Sequence, residues 1–201
     1  MKICRAAWVF SATLFPLLAL AGSQDGSTAS EELNPPRFEI AAESGYLLGA
    51  FDNPNSYEIG AEFIAGRVRW GVNNNEGWLR GYNQFCITAM AEPIFRGVEN
   101  HYFGVNFGAR YNFVQPNSRV VPYFSGGLGL GWIDSHPNVT GAQGQDFTFN
   151  ILTAAGLSYQ LTENWKISAG ILYQHLSNGG QTDPNPSLNL FGPQIGVSYS
   201  F

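Results

Sequence analysis

The sequence predicts an all-β chain: an eight-stranded antiparallel transmembrane β-barrel with a filled lumen, following an N-terminal signal peptide. Three observations carry this expectation. Charged residues make up 12% of the 201 and aromatic residues 14%, whereas a soluble domain carries about 25% charged residues; such a chain cannot coat a water-facing surface. After the first 21 residues, no stretch reaches the roughly 18 continuous apolar residues that a membrane helix needs. A membrane location therefore requires a closed sheet, the other structure that satisfies every backbone group in lipid. Finally, apolar residues recur at period two in eight segments.

The opening "MKICRAAWVFSATLFPLLALAGS" has Lys2 and Arg5, an apolar run from Ala6 to Ala21, and Ala19-Leu20-Ala21 before Gly22. This is the pattern of a signal peptide over 1–21, cleaved after Ala21; a retained membrane helix fits less well, because the run is short and Pro16 interrupts it. Removal takes Lys2 and Arg5 from the 10 basic residues and leaves 8 against 15 acidic ones, a net charge of −7. Nucleic acid is a poor partner for such a chain. Cys4 leaves with the signal and Cys86 has no partner, which excludes disulfides and thiolate metal sites. Residues 22–36, "GSQDGSTASEELNPP", form a polar, flexible periplasmic lead-in, and 37–201 is the barrel domain.

Candidate strands lie near 37–50, 56–69, 77–91, 101–114, 119–133, 147–160, 164–177 and 187–201. In the first two, Glu39, Glu43, Glu58 and Glu62 are read as inward, and Arg110 and Lys166 face inward from later strands. Eight strands enclose a space just wide enough for their own side chains, so these charges are expected to pair in a plugged interior; unpaired, each is costly. Paired carboxylates also suit a glycosidase, but a filled lumen admits no sugar. In 101–114, Phe103, Val105, Phe107, Ala109, Tyr111 and Phe113 share the lipid face. The segment 119–133 contains "GGLGLGW", which resembles a phosphate loop only superficially, since no helix follows it. In 147–160 the outward set runs from Phe147 and Phe149 to Tyr159, and in 187–201 from Phe191 to Phe201. Aromatics collect at the strand ends, as interfacial girdles require. Connections at 115–118 and 161–163 are tight, and those at 92–100, 134–146 and 178–186 are long. That is the pattern of periplasmic turns and outer loops, with both termini periplasmic; 51–55 and 70–76 depart from it.

The segment 164–177 holds the chemistry. Trp165, Ile167, Ile171 and Tyr173 set the outward parity, and the same parity reaches His175 and Ser177. Residues two apart on a strand lie about 6–7 Å apart on one face, which puts a hydroxyl beside a base. If the last hairpin pairs 175 with 189, Asn189 stands next to the imidazole and can orient it. Asn178, Gly179 and Gly180 follow at once and can present backbone and amide donors to an oxyanion. The bland alternative is that the pair merely marks where the strand leaves the hydrocarbon.

Several stretches carry a resemblance. "YQHLSNGG" with "DPNPSLNL", the upstream "VPYFSGGLGLGW" and "FTFNILTAAGLSYQLTENWKISAG", and the terminal "GVSYSF" are together similar to the PagL family of lipid A 3-O-deacylases, or acyloxyacyl hydrolases. The similarity runs over roughly 57–201 and is strongest after 119. It implies an outer-membrane serine esterase that removes the ester-linked 3-hydroxyacyl chain at the 3-position of lipid A, with no metal or organic cofactor. Carried over by motif, Ser177 is nucleophile and His175 general base. The Gly180 amide and Asn185 side chain fall at the oxyanion, with Asn178 close by. The family's orienting residue is a glutamate; here it is Asn189, with Asp183 as an alternative. Lipid A, lipopolysaccharide and the outer-membrane bilayer are then the partners, and pairing with a second copy as a homodimer stays open. Two readings compete: a non-catalytic barrel serving envelope integrity or adhesion, and an esterase or phospholipase acting on other membrane lipids.

Overall fold

The computed structural model describes residues 33–51 and 56–201. The signal peptide expected over 1–21 lies outside the described residues, as does most of the 22–36 lead-in. Eight strands follow in order: β1 Phe38–Gly49, β2 Glu58–Asn73, β3 Gly81–Arg96, β4 His101–Phe113, β5 Val120–Ile133, β6 Phe147–Gln160, β7 Trp165–Ser177 and β8 Leu188–Ser200. Each pairs antiparallel with its neighbours, and β1 closes on β8. Closure leaves no free edge, the condition for spanning lipid with strands.

The outward face is a continuous apolar surface, with Ile40, Ile64, Ile87, Phe107, Leu128, Leu157, Ile167 and Ile195 all exposed. Aromatic contacts gather at both ends of the wall, as two interfacial belts require. Phe38 stacks on Phe201 at 6.0 Å and Trp165 meets Tyr199 at 5.0 Å at the terminal end. Tyr46–Phe95 and Trp132–Phe147 do the same at the opposite rim.

The lumen is filled in two tiers. Near the terminal end, Arg67 bonds Glu39 at 2.8 Å and Glu43 at 2.6 Å, and Lys166 reaches Glu39 at 2.7 Å. The Arg110 guanidinium lies 3.6 Å over the Tyr123 ring and donates to Ser158 Oγ. Glycines make room for that ring: a Cβ at Gly156 or at its cross-strand partner Gly170 would sit 2.8 or 2.7 Å from the Tyr123 hydroxyl. Above this tier, Leu47, Ile59, Tyr102, Ile133, Leu172, Leu176, Leu188 and Leu190 form an apolar core. A residual gap of ≈ 40 Å³ beside Glu43, Arg67 and Arg110 has room for a water, and none for a sugar.

The structure corrects two expectations. Glu58 and Glu62 do not face inward: β2 turns Ile59, Ala61, Phe63, Ala65 and Arg67 into the lumen. Arg67 sets this phase because it must meet Glu39 and Glu43. Glu58 instead lies at the rim, 2.9 Å from Arg96 and bonded by the Tyr46 hydroxyl, and Glu62 accepts from Ser44 Oγ at 2.8 Å on the lipid side. A carboxylate on that face costs less than a lysine or arginine would. The third strand is also displaced from the expected 77–91. Residues 77–80 close a turn through Arg80 N–H to Gly77 O, and β3 continues through Pro93 to Arg96, so the expected 92–100 loop shrinks to 97–100. Pro93, which cannot donate to a ladder, is tolerated beside the β2–β3 register shift at Glu58/Ile59.

Candidate active site

The inward positions of β7 hold it in register. Leu172, Gln174 and Leu176 are each 0% exposed and pack into the lumen, Leu172 and Leu176 against Leu188 and Leu190 of β8. A one-residue slip would turn all three into lipid. Tyr173, His175 and Ser177 therefore project from the outer wall, half-buried, at the rim opposite the termini.

Across the β7–β8 ladder His175 is paired with Asn189, and its Nδ1 lies 2.9 Å from Asn189 Oδ1. The same oxygen accepts the Tyr173 hydroxyl at 2.8 Å. On its other side Asn189 Nδ2 faces two carbonyl oxygens, Phe51 O at 3.3 Å and Ser187 O at 3.4 Å. Carbonyls only accept, so these two settle which way the amide points. With Oδ1 toward the ring, Nδ1 must carry the imidazole proton, and Nε2 is left with its lone pair.

Ser177 follows two residues on, opposite Phe149 of β6. Among the described residues, neither its hydroxyl nor His175 Nε2 has a hydrogen-bond partner, and the two are not bonded to one another; contacts of this kind commonly tighten only when substrate arrives.

The following loop, 178–187, is folded around Asn178, itself 0% exposed. Its Nδ2 donates to Thr182 O at 2.6 Å and Pro184 O at 3.4 Å, and its Oδ1 accepts the Gly180 N–H at 2.9 Å. Gly179 and Gly180 both take the left-handed backbone, φ 67° and 74°, that this tight return needs. The Asn178 side chain thus has no donor left for an oxyanion, and the Gly180 N–H is engaged in the resting loop. Asn185 is placed differently. Its Oδ1 accepts the Asn178 N–H at 3.0 Å, which orients the amide and leaves Nδ2 without a partner among the described residues. Asp183 is exposed and does not meet the imidazole.

A second loop braces the first. Within 134–146, Gly144 N–H donates to Pro184 O at 2.7 Å, and the Gln145 amide exchanges bonds with Gln181 and Thr182 at 2.8 and 2.6 Å. Gln143 N–H donates to Glu99, which also accepts the buried Tyr57 hydroxyl. At the base of this loop, burial pushes the Asp134 carboxyl up, but hydrogen bonds from His101 and Asn100 outweigh it and hold the group below its ordinary range. The Ser135 hydroxyl and N–H lower Asp146 in the same way. The bond from Tyr173, the two carbonyls behind Asn189 and the Gly144 brace could not be foreseen from the sequence. Only Tyr173 left a trace there, as one more odd-numbered residue on the His175 face.

Comparison with known proteins decides the family. The model of the family described as "Lipid A 3-O-deacylase (PagL)" matches residues 56–198, well over half of the chain. The chain belongs to the PagL family. No curated protein sequence matches it. Among solved structures it is similar to the outer-membrane enzyme PagL, with 17% identity, TM-score 0.60, and coverage of 79% of this chain and 97% of that one. It is also similar to Neisserial surface protein A, with 18% identity, TM-score 0.61, and coverage of 82% and 97%. The N-terminal barrel domain of Pseudomonas aeruginosa OprF matches at 18% identity and TM-score 0.53, covering 83% and 98%. At such identities the structures establish the outer-membrane barrel fold, while the family match reaches the His175–Ser177 segment itself.

Proposed function

We propose that this PagL-family barrel is a serine esterase that hydrolyses the 3-hydroxyacyl ester at the 3-position of lipid A. The observation that carries the reading is the Asn189–His175 bond. It fixes the proton on Nδ1 and so leaves Nε2 basic on the face that bears the Ser177 hydroxyl. Lipid A approaches laterally, its acyl chains lying along the apolar outer wall and its ester at the level of the rim. His175 Nε2 takes the Ser177 proton as Oγ attacks the ester carbonyl. The oxyanion is held by Asn185 Nδ2, and by the Gly180 N–H when that group is shared with Asn178 Oδ1. Collapse releases the sugar hydroxyl, which receives the proton from His175, and leaves an acyl-serine. Water, deprotonated by His175, then frees the 3-hydroxy fatty acid and restores Ser177.

The test is the mass spectrum of lipid A from a Gram-negative host expressing the protein, beside Ser177→Ala and His175→Ala variants. Loss of one 3-hydroxyacyl unit with the intact pair alone supports the reading. Unchanged lipid A around a folded, inserted wild-type barrel overturns it in favour of a non-catalytic barrel. Cleaved phospholipid in place of lipid A moves the activity to another substrate.

A further inference from the structure

The resemblance puts Asn189 where the family has a glutamate, and a natural reading is that the proposed triad has been weakened. Its surroundings argue otherwise. Among the described residues only three non-glycine residues have a left-handed backbone: Phe51 at φ 52°, Asn117 at φ 59° and Ser187 at φ 47°. Non-glycine residues avoid this region. Phe51 and Ser187 are the two whose carbonyl oxygens face Asn189 Nδ2. On the opposite side, the Tyr173 hydroxyl and the His175 Nδ1–H converge on Oδ1 at 2.8 and 2.9 Å. The pocket around residue 189 thus offers acceptors on one side and donors on the other. An amide complements both sides. A carboxylate complements only one, because its second oxygen would face two carbonyl oxygens.

We propose that this site is built for an amide: Asn189 is the positioning residue matched to its socket, and Tyr173 is a second positioning residue whose phenol holds Asn189 Oδ1 against the imidazole. The inference rests on reading His175 as the base. The cross-strand neighbours of His175 are Ile151 on β6 and Asn189 on β8, so no carboxylate faces the ring from either strand. Its orientation is consequently left to hydrogen bonding alone, and two donors on one oxygen make the Asn189 carbonyl harder to turn away.

The consequence runs against the family pattern. Asn189→Glu, which installs the glutamate that the resemblance implies for the family, lowers kcat by about tenfold, because it sets a carboxylate oxygen against the Phe51 and Ser187 carbonyl oxygens. Asn189→Asp, nearly the same shape with no donors, falls below wild type as well. Tyr173→Phe lowers kcat several-fold with KM little changed, since the substrate need not touch the phenol. The experiment measures kcat, KM and the pH–rate profile for wild type and these three variants on lipid A micelles. In parallel, ¹⁵N NMR of labelled protein reports the His175 tautomer, which is independent of turnover.

Support is a wild-type Nδ1–H tautomer, partly lost in Tyr173→Phe, together with reduced kcat in both acidic variants. An Asn189→Glu enzyme as fast as wild type or faster, with the acid limb of its profile moved upward by the new charge, overturns the socket while leaving the esterase reading intact. Should no form turn over lipid A, the esterase reading falls, and the tautomer still decides the socket: a wild-type Nε2–H form overturns it.

Discussion

Replacing Asn178 by alanine tests whether this residue shapes the 178–187 loop or acts on the oxyanion of the proposed reaction. The side chain is 0% exposed and makes two short bonds, to Thr182 O at 2.6 Å and from the Gly180 N–H at 2.9 Å, plus a long one to Pro184 O at 3.4 Å. Each good bond contributes about 0.5–1.5 kcal/mol net, and the groups left without partners add to the loss, so the folded loop becomes less favourable by about 2 kcal/mol. If that cost falls on the population of the competent loop, turnover drops about 30-fold, at about 1.4 kcal/mol per decade. Asn178→Asp keeps the acceptor for Gly180 but turns a carboxylate oxygen onto the Thr182 and Pro184 carbonyl oxygens, so it falls at least as far as alanine. The assay is the initial rate of 3-hydroxy fatty acid release, with barrel integrity followed by heat-modifiable gel mobility and circular dichroism. An alanine variant within threefold of wild type would refute the loop-lock account. One as inactive as Ser177→Ala, with an intact barrel, would give Asn178 a direct part in the chemistry.

Other expectations follow from the same contacts. A Cβ at Gly144 would lie 2.6 Å from the Asp183 carbonyl group and 2.8 Å from Pro184 N, so Gly144→Ala displaces the brace and lowers deacylation while the barrel still folds; full activity in that variant would show the brace to be dispensable. Glu39→Gln leaves Arg67 and Lys166 short of their shared carboxylate and costs about 3–5 kcal/mol in urea unfolding from liposomes. Glu62→Gln, on the lipid side, changes stability by less than about 1 kcal/mol, and the reverse order would contradict the observed β2 phase. Asp134 and Asp146 have folded pKa values below their ordinary 3.8. Their contribution to loop order is therefore complete above that pH and is lost as pH falls through the lowered values. Amide NMR signals of 143–145 should broaden only below about pH 4, and Asp134→Asn should remove part of that transition.

How far the sequence carried depends on the strand. β7 and β8 read cleanly because toward the terminal end their outward residues are large and their inward ones small or polar, from Lys166, Ser168 and Gly170 on β7 to Gln194, Gly196 and Ser198 on β8, and that phase carries through to Leu172 and Leu176. β2 offered no such contrast: Ile59, Ala61 and Phe63 compete with Ile64, Val68 and Trp70, and the glutamates were a poor guide because Arg96 and Tyr46 satisfy Glu58, and Ser44 satisfies Glu62, outside the lumen. β3 was misplaced because Pro93 looks like a terminator when the partner's register shift is unseen. At the site, His175, Ser177 and Asn189 were legible from parity and one hairpin register. Phe51 was not, because its carbonyl reaches Asn189 from 138 residues away. Nor was the engagement of Gly180, which depends on the local return of the loop.

The alternation in β7 has an evolutionary consequence. Odd-numbered residues from 171 to 177 face outward, toward lipid, and even-numbered ones hold the wall shut. Selection for a new acyl preference can then act on one set without eroding the other. A saturation library across this segment should show tolerance that oscillates with every residue, in antiphase for catalytic output and for assembly into the envelope.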